Sequence, residues 1–206
     1  ALLHTDAVQG FMKEPFSAKT LGADMISVSG HKVHAPKGIG ALYIRQRLKL
    51  PAHILGGGQE EGMRSGTEPM PQIAAFGEAV RIAKAEMPEA NKRMEALRAQ
   101  CVQTLTDTVP DIVFLGGGSA HILSLSLPGY RSEVLMNYLE AKGIYVSKSS
   151  ACKRGKRSHV LEAIGAPDKV IDGALRVSFS RYTTEAECSA FCEALAAARR
   201  ELYPSL

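Results

Sequence analysis

The chain has 206 residues, with 25 Lys and Arg against 21 Asp and Glu for a formal charge of +4, and it is 45% hydrophobic and 22% charged. That balance builds a globular core of one large or two small domains and argues against disorder. With no tryptophan and no long basic tract interleaved with aromatics, nucleic-acid binding is not expected, and no apolar run reaches the ~18 residues of a membrane span. The opening "ALLHTDAVQG" lacks an initiator Met and starts directly in strand-like material, which reads as the C-terminal part of a longer chain. "ALLHT" predicts a short buried strand ending at Asp6, "DMISVSG" a second strand and "GALYIRQ" a third, with Gly-rich turns between them. Residues 55–67, "LGGGQEEGMRSGT", hold too many glycines for a regular element and predict a loop.

From Pro71 the apolar spacing becomes helical, with Ile73, Phe76 and Val80 on one face. Met94, Leu97, Cys101 and Leu105 continue it, on a second helix or on the same one beyond Pro88. In "HILSLSLPG", Leu123, Leu125 and Leu127 alternate with Ser124 and Ser126, the pattern of a strand with one apolar face. "RSEVLMNYLEAKG" predicts a helix with Ser132 as N-cap and Gly143 as its stop. In "GALRVSFSR", Leu175, Val177 and Phe179 face one way and Arg176, Ser178 and Ser180 the other. Thr184 and Glu187 form a capping box that opens a last helix running to the chain end.

Several side chains could carry chemistry. Lys32 follows an apolar run, where an unpaired ammonium is costly. It is either a lysine snorkelling from a strand end or an amine desolvated for covalent catalysis. Asp6 and Gln9 end the first strand, and the carboxyl edge of a sheet is where an open α/β fold gathers its ligand groups. The four cysteines, at positions 101, 152, 188 and 192, make no CxxC pair or disulfide-framework spacing, which points to a reducing, cytoplasmic setting. Cys101, Cys188 and Cys192 lie on apolar helical stripes and read as buried structural thiols; no further ligands accompany them, so no metal site is expected. Cys152 instead stands among small and basic residues in "SKSSACKRGKRSH", where neighbouring cations favour the thiolate. A solvated turn is the plain alternative for that segment. Arg176 lacks an obvious acidic neighbour, and its guanidinium fork matches a carboxylate in two parallel bonds.

Together, "HTDAVQ", "SGHK" followed by "PKGIGALY", "GGGQEEGMRSGT", "SSAC…SHVLEAIG" and "LRVSFSRYTT" resemble the cysteine desulfurases, fold-type-I enzymes that use pyridoxal phosphate. The resemblance spans the whole chain with its motifs in the family's order, and matches that family's C-terminal part. It implies an α/β fold: a partial large, cofactor-binding domain over residues 1–86, then a smaller α+β domain over residues 87–206 carrying the Cys152 segment. It implies that Lys32 holds pyridoxal phosphate and moves protons on the substrate carbons. Asp6 would pair with the ring nitrogen, Gln9 would bond the ring's phenolic oxygen, and Ser29 and His31 would contact the phosphate. Thr67 would reach the phosphate bound by a second subunit, implying a homodimer. Arg176 would hold the α-carboxylate of L-cysteine, and Cys152 would take its sulfur as a persulfide for an acceptor protein in iron–sulfur cluster or thio-cofactor assembly. The segment from Cys152 to "SHVL" is a few residues shorter than in the family's long-loop branch. Two other enzymes fit the same fold, a selenocysteine lyase and an aminotransferase, and Cys152 argues against the latter. A truncated, non-catalytic interaction unit is the reading from a different class, and this chain by itself is expected to be inactive.

Overall fold

Residues 1–148 and 158–204 are described by the computed structural model, and they divide into two units, Ala1–Pro88 and Glu89–Leu206. In the first unit, β1 (His4–Asp6) pairs in parallel with β2 (Met25–Ser29), and β2 pairs antiparallel with β3 (Gly40–Ile44). The second and third strands lie where the sequence places them; β1 starts only at His4 and is largely exposed, not buried, because nothing in this unit covers His4 or Asp6. A parallel pair needs a crossover, and this one contains a short helix, α1 (Ala18–Leu21), which the sequence reading did not foresee. Its capping box is atypical, which explains the miss. Thr20 stands where Glu or Gln usually does, accepting from the Ser17 N–H at 2.9 Å while Ser17 Oγ accepts from the Thr20 N–H at 3.1 Å.

One face of this sheet packs Ile26 with Ala7 and Ala23, and Phe16, Ala18 and Val28 lean against them. Asp24 is a buried carboxylate at the entry to β2. It accepts the Leu3 N–H at 2.8 Å and pairs with Arg45 at 2.9 Å, so it ties the ends of β1 and β3 to β2. β3 closes against β2 through Gly40, opposite Ser29. A Cβ on Gly40 would stand 2.6 Å from the Val28 carbonyl oxygen.

The spacing over residues 71–105 resolves as one helix, α2 (Met70–Thr108), running through Pro88, where a ring nitrogen leaves one helical bond unmade. In the second unit its stripe of Met94, Leu97, Cys101 and Leu105 is buried as the period predicts. The second sheet is antiparallel throughout, in the order β4 (Val113–Leu115), β5 (Ile122–Ser126), β7 (Ala174–Ser178) and β6 (Ser147–Lys148). Strands of three and two residues are too short to announce themselves by alternation, and β4 and β6 were not foreseen. The apolar faces of β5 and β7 meet in register, Leu123 opposite Val177 and Leu125 opposite Leu175. Those side chains pack with α2, α3 (Ser132–Glu140) and α6 (Glu185–Glu201) in a single core. Two short helices, α4 (His159–Ala163) and α5 (Asp168–Asp172), precede β7.

Three local expectations change. Ser126 is fully buried and not on an open polar face; its hydroxyl donates to the Val170 carbonyl at 2.7 Å, which makes burial tolerable. Arg131, not Ser132, is the N-cap of α3, and the Ser132 hydroxyl turns to Glu133 at 3.2 Å. The last helix stops at Glu201 with Leu202 extended, where the buried Tyr130 hydroxyl reaches the carbonyls of Arg199 and Leu202 at 3.3 Å. Gly143 does end α3 as expected: at φ 76° it donates to the Glu140 carbonyl while Ile144 donates to that of Leu139.

Gly40→Ala drives a methyl group into the Val28 carbonyl, so it should destabilise the first unit by about 1–3 kcal/mol in denaturant titration. Unchanged stability would contradict the close approach of β2 and β3.

Candidate active site

The carboxyl ends of the parallel pair β1 and β2 stand side by side, with Asp6 in register with Ser27. Side chains alternate across a sheet, so His4 and Asp6 share one face with Ser27 and Ser29, away from the Ile26 core. The sequence reading picked Asp6 and Ser29 from this face and missed His4, whose Nε2 lies 2.8 Å from the Ser27 hydroxyl. The signal was present as alternate polar residues on both strands. Beyond Asp6 the chain curls at once, with the Phe11 N–H bonded to the Ala7 carbonyl at 2.8 Å, so exposed Gln9 sits in the turn at the strand's end. The Asp6 carboxylate is exposed and accepts the Val8 N–H at 3.0 Å.

β2 ends in a single 3-10 turn, Gly30–Val33, that presents His31 and Lys32 at this edge. The turn is pinned at its start by the Gly30 N–H on the Ile39 carbonyl (2.9 Å), at its end by the Ala35 N–H on the Gly30 carbonyl (3.0 Å), and beneath by Val33, which is 3% exposed. Ser29 Oγ and His31 Nδ1 are 2.8 Å apart. Lys32 is half-buried, and among the described residues no ion pair or hydrogen bond holds its ammonium. Ser29, His31 and Lys32 are thus gathered in one turn, with Asp6 on the adjacent strand end.

The glycine-rich stretch is a folded loop. Ile54 bridges to Arg64, the His53 N–H donates to the Met63 carbonyl at 2.9 Å, and the Ser65 hydroxyl donates to Gly57 at 3.0 Å across it. Thr67 follows, exposed, in the lead into α2.

In the second unit, Arg176 occupies the middle of β7, opposite Ser124 on β5 and Ser147 on β6. One terminal nitrogen approaches the Ser147 hydroxyl at 3.5 Å, and its buried Nε has no partner among the described residues. A buried donor left open is costly unless a ligand completes it. Arg93, which the sequence reading passed over, donates from α2 to the Thr183 carbonyl at 2.7 Å and fixes the chain just after β7. Cys152 lies outside the described residues. On its N-terminal side, Lys148 on β6 is ion-paired with Glu133, and that hydrogen bond holds the Glu133 carboxyl below its ordinary range. On its C-terminal side, buried Ser158 caps α4, its hydroxyl accepting the Leu161 N–H at 3.4 Å.

Residues 1–191 match the family described as Aminotransferase class-V, and the chain belongs to that family. It is 41% identical over 192 residues to cysteine desulfurase 2 of Trichormus variabilis, a match covering 91% of this chain and 48% of the relative. It is 43% identical over 194 residues to the cysteine desulfurase IscS of Tolumonas auensis, covering 90% of this chain and 47% of the relative. A solved NifS-like protein superposes with a TM-score of 0.88 at 38% identity, over 98% of this chain and 53% of that one. The fold is therefore the expected α/β one, a partial fold-type-I transferase, and the chain spans about half the length of the curated relatives it matches.

The depressed Glu133 carboxyl contributes stability that is complete above the ordinary carboxylate pKa of ~4.3 and is lost as the pH falls through the lowered value. Because the pair is largely exposed, Lys148→Met should cost about 0.5 kcal/mol near neutral pH in urea titration. The difference between the two proteins should vanish well below ~pH 4; a gap that persists there would exclude the ion pair as its source.

Proposed function

We propose that this chain carries the lysine, carboxylate-binding and thiol centres of a cysteine desulfurase that converts L-cysteine to L-alanine and takes up the sulfur on Cys152. The observation that carries the reading is the pinned Gly30–Val33 turn, which sets Lys32 and the Ser29–His31 pair beside Asp6 at the carboxyl edge of a parallel pair. Its support from likeness is that relatives matched over most of this chain bear the cysteine desulfurase name.

The residues at this edge fit pyridoxal phosphate by their chemistry. An amine without an ion-pair partner among the described residues suits the cofactor's aldehyde, and an exposed carboxylate suits a ring nitrogen. A hydroxyl and an imidazole sharing a hydrogen bond suit a phosphate. In this reading Lys32 holds the cofactor, Asp6 keeps the ring nitrogen protonated, Gln9 bonds the phenolic oxygen, and Ser29 and His31 take the phosphate. Exposed Thr67 serves the phosphate of a second copy in a homodimer. The bound cofactor supplies an electron sink for negative charge at the substrate's α-carbon.

The chain's own groups do the rest. Lys32 removes the proton from the α-carbon of L-cysteine. Arg176 grips the α-carboxylate with the donors its serine neighbours leave open, orienting that carbon. Cys152 Sγ forms a bond to the substrate sulfur while the carbon–sulfur pair returns to the β-carbon, which takes up a proton, and Lys32 gives a proton back to the α-carbon. Alanine and a Cys152 persulfide result, with atoms and electrons balanced. An acceptor protein then receives the outer sulfur, as iron–sulfur cluster or thio-cofactor assembly requires. The three described cysteines are all unbridged, which supports a reducing, cytoplasmic setting for the chemistry.

Borohydride reduction of the holoenzyme followed by peptide mapping should label Lys32; a label on Lys37 would overturn its role. Arg176→Ala should raise KM for cysteine by about tenfold or more while leaving the cofactor spectrum unchanged, since the lost contact is to substrate. Cys152→Ala should still respond spectroscopically to cysteine yet form neither alanine nor persulfide. A persulfide, ~32 Da heavier, that maps to another cysteine would refute the assignment.

A further inference from the structure

A cavity of about 590 Å³ that the proposed reaction does not use opens in the second unit, among α2, the turn after α3, and α6. That volume falls within the range of small-molecule sites, roughly 300–1,000 Å³. Its floor and its mouth differ in kind. Cys192, Ala194 and Ala196 line it although they are only 2%, 7% and 6% exposed, so the space reaches below the surface of α6. The Cys192 thiol donates to the Cys101 carbonyl oxygen at 3.9 Å, which leaves the floor a neutral surface of two methyl groups and one sulfur.

Lys142, Glu193 and Arg200, all exposed, line the same cavity nearer solvent. Arg199 is paired with Asp111 at 3.1 Å, whereas no carboxylate pairs with its neighbour Arg200 among the described residues. The Lys142 ammonium lies 4.8 Å from the centre of the Tyr138 ring, which holds the cation in place without neutralising it. The Thr108 hydroxyl, also in the lining, is spent on the Thr104 carbonyl at 2.7 Å, so the two cations are the strong donors the cavity offers. Two cations against one carboxylate leave a single net positive charge over an apolar floor. A bare inorganic anion would leave that floor unused, and a neutral apolar molecule would leave the cations unanswered.

We propose that this cavity binds a small monoanion with an apolar body, a medium-chain carboxylate. The carboxylate lies on Arg200 and Lys142, since a guanidinium fork takes it in two parallel bonds, and the chain covers the floor of Cys192, Ala194 and Ala196. None of these residues serves in the proposed desulfurase reaction, so the two readings stand or fall separately.

The test is calorimetric titration of the full chain with decanoate, kept below the concentration at which it forms micelles. One saturable site per chain is expected. Arg200→Glu and Lys142→Glu should each weaken binding by about tenfold or more, because a charge-assisted contact is replaced by repulsion. Glu193→Gln should tighten it, since it removes the one opposing charge. These three positions are exposed, and unchanged urea midpoints would show each variant folded. Ala196→Phe fills the floor and should abolish binding; if that variant does not fold, the charge variants decide. Equal affinity for decylamine, uptake that never saturates, or charge variants that bind decanoate as the parent does would each overturn the proposal.

Discussion

The hydrogen bond from the Gly30 N–H to the Ile39 carbonyl is the constraint on which the candidate site depends. It draws the end of β2 so close to the entry of β3 that no side chain fits: a Cβ on Gly30 would lie 2.7 Å from Ile39 Cγ2 and 3.2 Å from the Ile39 oxygen. Held there, the chain leaves extended geometry at once and makes a single tight turn. Buried Val33 fixes its far side, so His31 and Lys32 have to emerge at the sheet edge beside Asp6. A longer or looser connection would place the same residue types at the same sequence spacing without fixing where an amine points. The chemistry proposed for Lys32 therefore begins with a steric exclusion two residues earlier.

The two units stand on different physical footings. In the second, leucines of β5, β7, α3 and α6 are wholly removed from water in one continuous core, with burial of each such side chain worth roughly 1.5–3 kcal/mol. In the first, the buried cluster is small, and Leu3, Leu42, Tyr43 and Leu55 remain exposed. Polar ties matter more there. Asp24, by holding the Leu3 N–H and Arg45, substitutes for apolar packing at the strand ends, and the Ser17–Thr20 box does so for α1. The residues at the β1–β2 edge thus ride on a lightly packed sheet, while Arg176 rides on a densely packed one.

Legibility in the sequence follows the same division. The alternation of Leu123, Leu125 and Leu127 and of Leu175, Val177 and Phe179 marks two strands because one face of each is dry and the other is not. The stripe from Met94 to Leu105 marks a helix, though periodicity could not say whether Pro88 interrupts it. Shorter elements escaped, since β4, β6 and α1 offer too few residues for a period to show. Serines misled at two points because a hydroxyl can find a partner that the linear pattern does not announce. Ser126 is buried because Val170 accepts its proton, and Ser132 yields the cap position to Arg131. At the site, residue types in order pointed to Asp6, Ser29, His31 and Lys32, and the fold gathers them at one edge. His4 was overlooked because its partner, Ser27, is 23 residues away and adjacent only through strand register.

The thiols show most clearly what a linear pattern leaves out. Helical spacing assigns Cys101, Cys188 and Cys192 to buried faces, and all three are buried. Burial alone would make them equally inert, because desolvation disfavours every thiolate. Which helix faces which is not written in either helix's own period, and it is the meeting of α2 with α6 that sets one sulfur against another. Where they meet, the Cys192 thiol donates to the Cys101 carbonyl oxygen at 3.9 Å, a contact between positions 91 residues apart. The partner a buried thiol finds in this core is thus decided by which helices meet, and not by the period that buries it.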